Sequence, residues 1–454
     1  MAHSGEAGSG GRGDSRRRFL RSIGAASGLA ITGLAGCTSG GGGDGDGGGN
    51  GGSGNGSGSG EGGGSGGGGG SGGSGGSDGS YNVGVATSLS GPFAVFGRAE
   101  LDGAKLAAED LESELGIDVE ISQADTEVDP STGLERMRRL VTEEEIDFAM
   151  GGVSSSVALR MGTWASDNGV VYMPTGAHSD AITGESCAQY TFRPTCSNSM
   201  LASTIGNEMV NAADSWFLMY SDYTWGETAQ QAVTDILESN GKQVTGRTAV
   251  PFPSDDYTPF VNEANASDAD GIGVLIAGLD MRKALQSIID RGVDSRTLAM
   301  HQMEDVVYWG LEKEIASVMD VGGQVWGPAT EAGNEFKQRV AEQFDTDPYV
   351  RHFLGYLSAD QLVRAAERAG SRDPEAMRSA LEGHEVSSPA ADIKGGGPMY
   401  WRECDHQLIQ STYNVRARPV EEMAGSPYKT WFETTETFAG DDVARACEVT
   451  GCQL

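Results

Sequence analysis

The sequence predicts an α/β protein of two lobes, each a doubly wound parallel sheet. From Tyr81 onward, short apolar runs alternate with helical stretches, and strands alternating with helices of about 10–15 residues mean βαβ units. The alternation comes in two runs, the second resuming after about Met200, and about 375 residues suit two such lobes better than one. Clefts in these sheets open beyond the carboxyl ends of the strands, so the loops that follow strands are where a site belongs.

The elements follow in order. "YNVGVAT" is the first strand, and a glycine-containing turn leads to a helix over 98–115. "VEISQAD" is the second strand. Pro130 opens the next helix, which runs through Met137 and Leu140, proline being favoured in a first helical turn. "FAMGG" and "VVYMP" are strands with a helix over 157–166 between them. The second run reads as a helix to Ala212, "WFLMY", a helix over 227–240, "QVTGRTAV", a helix, "GIGVLIAG", a helix over 281–291 and "TLAM". After Gly327 the sequence is more helical, and it ends in irregular, aromatic-containing sequence.

Ahead of this body, Ser15-Arg16-Arg17-Arg18-Phe19-Leu20-Arg21 precedes an apolar run from Ile23 to Ala35. That run falls short of the about 20 apolar residues needed to cross a bilayer. A basic head, a brief apolar middle and small residues at the end describe an export signal, and the arginines resemble the twin-arginine type. Leu34-Ala35-Gly36-Cys37 resembles a lipobox, which implies cleavage before Cys37 and a lipid on its sulfur. The Gly/Ser tract that follows has no side chains with which to build a core and reads as a tether. A folded body held at the outer face of the cytoplasmic membrane is the expected arrangement.

Formal net charge is −33; the segment before Cys37 holds five arginines against Glu6 and Asp14, a surplus of three, which puts the mature chain near −36. Such a field repels nucleic acid and anionic lipid, and no basic patch opposes it. Acid spread evenly over helices with few lysines resembles the surfaces of proteins from salt-loving archaea. In an oxidising compartment the cysteines other than Cys37 are expected to pair. Cys187 with Cys196 and Cys447 with Cys452 would close small loops, leaving Cys404 over. No Cys-x-x-Cys or neighbouring histidine supports a zinc site, and no cofactor is expected.

Three loops after strands stand out. "SLSGPFAVFGRAELDGA" places Phe93 and Phe96 just before a helix, with Phe93 read as core. "GGVSSSVALR" places Ser154, Ser155 and Ser156 next to glycines where a helix begins. One serine suffices for a cap, and free N–H groups at a helix start hold a carboxylate or phosphate. No Gly-Lys-Ser/Thr makes it a nucleotide loop. "MPTGAHSDAITG" clusters Thr175, His178 and Ser179 beyond a buried strand.

With those residues in view, "LSGPFAVFG", "AELDGAKLA", "ADTEVDP", "FAMGGVSSS" and "VVYMPTGAHSDAITG", in that order, resemble the branched-chain amino acid and amide binding proteins of ABC transporters, the type I periplasmic binding proteins. The likeness spans Tyr81 to about Ala369, with more at "YWRECDHQLIQ". It implies two lobes joined by three crossings, with the ligand between them. The expected organisation is a signal over 1–36, lipidated Cys37 and tether over 37–80, the first lobe over 81–195, the second over 196–328, a return to the first over 329–385, and a return to the second with the tail over 386–454. The resemblance places the ligand's anionic end on Ser154, Ser155, Ala177, His178 and Ser179. It also places aromatic contacts at Phe96 and Trp225, a polar position near Leu279 and Asp280, and an acid for an ammonium at Glu304 or Asp305. The implied function is capture of a small amino acid, amide or related carboxylate for delivery to an ABC permease. A lipid-anchored sensor feeding a chemotaxis or signalling receptor would share the same fold and site. No Gly-x-Ser-x-Gly or His-Glu-x-x-His motif supports catalysis, which leaves an extracellular hydrolase as a remote alternative.

Overall fold

The computed structural model describes residues 79–327, 330–425 and 427–454. The export signal, Cys37 and the tether up to residue 78 lie outside the described residues.

The first sheet holds β1 (Ser80–Thr87), β2 (Asp118–Asp125), β3 (Phe148–Gly151) and β4 (Tyr172–Pro174), all parallel in the order β2-β1-β3-β4. β1 lies between two neighbours, with Val83 and Val85 fully buried, whereas β2 at the edge keeps its residues half-exposed. Helices α1 (Ala94–Leu115), α2 (Pro130–Thr142) and α3 (Ser155–Asp167) follow β1, β2 and β3. α2 begins as its sequence predicts: Pro130 sits in the first turn and the Asp129 carboxylate accepts from the Thr132 N–H at 2.7 Å.

After α4 (Asn198–Ala212) the chain builds the second sheet from β5 (Ser215–Ser221), β6 (Gln243–Val250), β7 (Gly271–Leu275), β8 (Thr297–Met300) and β9 (Val321–Gln324). α5 (Thr224–Ser239), α6 (Thr258–Ala266), α7 (Asp280–Asp290) and two short helices, α8 (Asp305–Tyr308) and α9 (Lys313–Ala316), lie between the strands. These five strands are parallel in the order β9-β8-β7-β5-β6. All five residues of β7 are buried, as a central parallel strand requires.

Helices α10 (Glu331–Phe344) and α11 (Val350–Ala369) then return to the first lobe, where α11 packs along α1. The two come within backbone contact. A Cβ at Gly103 would lie 1.9 Å from the His352 carbonyl oxygen, and one at Gly355 would lie 2.0 Å from that of Glu100. Further on, the expected irregular ending contains order: β12 (Thr412–Ala417) and β13 (Phe432–Phe438) extend the second sheet as antiparallel strands beyond β9. β13 is polar along the exposed edge, and β12, though buried, is interrupted by Thr412, Asn414 and Arg416, so no apolar run announces either. A small antiparallel pair, β10 (Tyr400–Trp401) with β11 (Leu408–Ile409), precedes them. The final change of sheet comes as β12 begins at Thr412, whereas 389–394 is a helix packed on α10 and α11.

Two buried cations stitch the crossings together. Arg193 donates through Nε to the Gln407 side-chain oxygen at 2.6 Å, and through its other nitrogens to the Ser179 carbonyl and the Thr183 hydroxyl. Lys394 donates to the carbonyls of Val325 and Ser411, with the ring of Tyr413 4.5 Å away.

The disulfides differ from the expectation. Cys187 bridges Cys452 and Cys404 bridges Cys447, with Cα–Cα distances of 5.5 and 6.0 Å, while Cys196 is free and buried. The physical reason is that Cys196 points into the core at a crossing. The C-terminal tail folds back over the loop near Gly184, close enough that a Cβ on that glycine would meet the Thr450 carbonyl at 2.9 Å.

Candidate ligand-binding cleft

In each sheet the strand order reverses beside the first strand of the lobe: between β1 and β3 in one, between β5 and β7 in the other. The loops at such switch points form crevices. Both lobes build theirs with a glycine in the first turns of the following helix. A Cβ at Gly97 would lie 2.1 Å from the Ser88 carbonyl oxygen, and one at Gly226 would lie 2.0 Å from that of Ser221. Glycine therefore lets α1 and α5 start tight against the ends of β1 and β5, which fixes Phe96 and Trp225 at the mouth of each crevice.

The two crevices share one cavity of about 40 Å³. The first lobe contributes Phe93 and Phe96 after β1, Val153 after β3, Gly176 and His178 after β4, and Arg351 from the first turn of α11. The second contributes Tyr223 and Trp225 after β5, Ile276 to Gly278 and Met281 after β7, and Gln302, Glu304 and Val307 after β8. Aromatic rings close the lobes on each other: Phe93 stacks on Phe252 at 4.9 Å, and Phe252 stacks on Tyr223 at 5.2 Å. The starts of α3 and α5 also meet, with the Ser156 and Thr224 hydroxyls 3.2 Å apart.

Arg351 dominates the electrostatics. Its Nε and Nη2 donate to Glu304 at 2.6 to 3.1 Å, and its Nη1 donates to Glu100 at 3.2 Å and to the Gly176 carbonyl at 2.8 Å. The ring of Phe96 lies 5.2 Å from the guanidinium carbon. Burial is the largest single influence and pulls the guanidinium pKa down, but Glu304, Glu100 and Tyr349 together outweigh it and the net displacement is upward. Glu100 is fully buried, and burial pushes its carboxyl up to about 6 against the opposing pull of Arg351 and the Thr87 hydroxyl. Gly176 is required here, because a Cβ would fall 1.7 Å from Arg351 Nη1.

His178 is neutral: burial first, and then Arg351, hold it well below its ordinary value. Its Nδ1 lies 2.8 Å from the Cys196 carbonyl, which can only accept. The proton is therefore on Nδ1, and Nε2 accepts from the Gln302 amide at 3.0 Å. The same amide nitrogen donates to Glu304 at 2.6 Å.

Of the residues singled out from sequence, the cavity brings together Phe96, His178, Trp225 and Glu304. The others lie around it. Ser154 is the cap residue of α3 without a side-chain cap bond, and Ser155 Oγ accepts from the Ser179 N–H at 3.2 Å, joining two loops. Ala177 packs with Ala158 and Ile182, and Ser179 caps the turn that follows it. Asp280 is occupied by the Ser254 N–H, the Tyr257 hydroxyl and Lys283, and borders a neighbouring groove. Asp305 accepts from Gln324 at 3.2 Å on the opposite flank, its carboxyl pushed up to about 6 by burial. Arg351, Gln302 and Tyr223 escaped the sequence reading, and Phe93, read as core, lines the cavity. Arg351 had one signal: it is a charge in the first turn of a helix that runs straight on into the apolar Phe353-Leu354-Gly355-Tyr356-Leu357, so it needs a buried partner.

Among the described residues there is no group of histidines, cysteines or acids able to hold a metal, and no helix is long and apolar enough to cross a membrane. A family model described as periplasmic binding protein matches residues 80–422. The Leu/Ile/Val-binding protein homolog 1 of Brucella abortus is 23% identical over 310 residues, covering 66% of this chain and 81% of that protein. The solved structure of an amino acid ABC transporter substrate-binding protein from Pseudomonas fluorescens superposes with a TM-score of 0.74 at 20% identity, covering 83% and 99% of the two chains. A solute binding protein of an ABC transporter from Rhodopseudomonas palustris, in complex with 3,4-dihydroxybenzoic acid, gives 0.71 at 17% identity, covering 80% and 98%.

Proposed function

The chain belongs to the periplasmic binding proteins, and from that premise we propose that it is the extracytoplasmic substrate-binding lipoprotein of an ABC importer. It captures a small amino acid, amide or carboxylate between its lobes and delivers it to a permease. The observation that carries this reading is the single cavity at both switch points, walled by aromatic side chains from each lobe. About 40 Å³ is far below the roughly 300–1,000 Å³ of a small-molecule pocket, so a solute is accommodated only when the lobes part. Ligand then acts by stabilising a closed population. Phe96, His178, Trp225 and Glu304, with Tyr223 and Gln302, form the contact set in this reading. The export signal, Cys37 and the Gly/Ser tract support its placement on the outer membrane face.

The test is thermal unfolding of the mature chain in molar salt against amino acids, short amides and aromatic or branched carboxylates. A true ligand at 100 times its dissociation constant adds about 2.7 kcal/mol of stability. Trp225→Ala should weaken that ligand by about 1–3 kcal/mol while the unliganded protein keeps its fold. A panel in which no solute shifts the transition, or a ligand indifferent to Trp225→Ala, rejects the reading.

A further inference from the structure

This inference rests on the solute-binding reading and names the group that holds the solute. Two of the residues lining the cavity carry charge, Arg351 and Glu304, and they face each other from opposite lobes. They are not held alike. Arg351 is fixed within its own lobe through Nη1, which donates to Gly176 and Glu100, and Glu100 is itself held by the Thr87 hydroxyl at 2.7 Å. Glycines 103 and 355 allow the close helix contact that puts Arg351 beside Glu100. Glu304 has only the neighbouring Gln302 as a further side-chain hydrogen-bond partner among the described contacts. When the lobes part, Arg351 therefore stays in place and its Nε and Nη2 edge is uncovered. Two parallel N–H groups of fixed orientation are the fork that a carboxylate matches with both oxygens.

We propose that Arg351 is the receptor for the solute's carboxylate, and that Glu304 is its internal stand-in, filling the fork when the cleft closes empty. The Nε and Nη2 edge is already taken by Glu304 in the closed pair, so binding there exchanges one carboxylate for another on the same guanidinium. The solute is a small carboxylate whose apolar or aromatic body lies against Phe93, Tyr223 and Trp225. An amine-free acid displaces Glu304 outright. An α-amino acid inserts between the two charges, its carboxylate on Arg351 and its ammonium on Glu304.

Calorimetric titration of the mature chain with benzoate, benzamide, 4-methylpentanoate, 4-methylpentanamide and leucine tests this. At least one acid should bind, and its amide, offering one acceptor oxygen and no charge, should bind about a hundredfold more weakly. Arg351→Gln should erase the difference between acid and amide. Glu304→Gln removes the stand-in, so it should tighten an amine-free acid and weaken leucine; this variant carries the test if Arg351→Gln fails to fold. Equal affinity of acid and amide in the unaltered protein, a gap that persists in Arg351→Gln, or a Glu304→Gln variant that changes neither class overturns the proposal. Failure of every probe to bind instead rejects the solute-binding reading, and this inference falls with it.

Discussion

The cleft and the hinge both bury cations, and they hold them in opposite ways. In the cleft, Arg351 faces ionisable carboxyl groups, Glu304 across the gap and Glu100 behind. At the hinge, Arg193 and Lys394 donate to carbonyls, a hydroxyl and an amide oxygen, all neutral. The electrostatics follow. Burial drags Arg193 down to about 10 and Lys394 to about 7, whereas the acids around Arg351 displace it upward. A cation on neutral acceptors has nothing it can exchange; it fixes where the crossings run. One on a carboxylate can trade that partner for another of the same chemistry. The difference separates scaffold from receptor.

The largest test of that comparison is at the hinge. Arg193→Met should lower stability by about 3–5 kcal/mol, because it strands three buried acceptors, Ser179 and Thr183 in the loop after β4 and Gln407 ahead of the last crossing. The shift is read from denaturant midpoints in molar salt. A loss comparable to that of a surface substitution would remove Arg193 from the scaffold.

Lys394 offers a pH test of the same idea. Its folded pKa, about 7, lies below the ordinary 10.5. The unfolded chain thus binds the proton more tightly, and stability should rise as pH climbs from 7 toward 10.5, by about 3 kcal/mol or more. Lys394→Met should flatten this rise. A slope unchanged by the substitution would mean that the lysine is solvated.

The cleft predicts a smaller effect of opposite sign. Glu100 titrates near 6 in the folded state against 4.5 ordinarily. Its contribution to stability, about 2 kcal/mol, is fully present below 4.5 and is lost as pH rises through 6. Glu100→Gln should remove its share of that slope and leave the share of Asp305, also near 6. An unaltered profile would show that Arg351 keeps Glu100 ionised throughout.

What the sequence discloses follows from distance along the chain. Phe96 and His178 lie in the segments that follow β1 and β4, where the strand pattern leads, whereas Trp225 and Glu304 are legible only through the resemblance to the family. Arg351 lies 251 residues from Glu100, and only the packing of α11 on α1 brings them together. The parallel strands announce themselves because buried strands must be continuously apolar. β13 presents "FETTETF" at an edge, where one half-wet face suffices, and gives no such signal. The cysteine pairing failed for a related reason. Closing a loop costs entropy that grows only slowly with length, so nearness in sequence is a poor guide to partners once the fold supplies nearness in space.

The bridge between Cys187 and Cys452 spans 265 positions, and it turns most of the body into a covalent ring. A single backbone cut anywhere between those two cysteines opens the ring without releasing a fragment. A nicked molecule would migrate as one species until a reductant is added and then fall into two pieces. For an extracytoplasmic protein, a protease must cut this region twice before anything escapes.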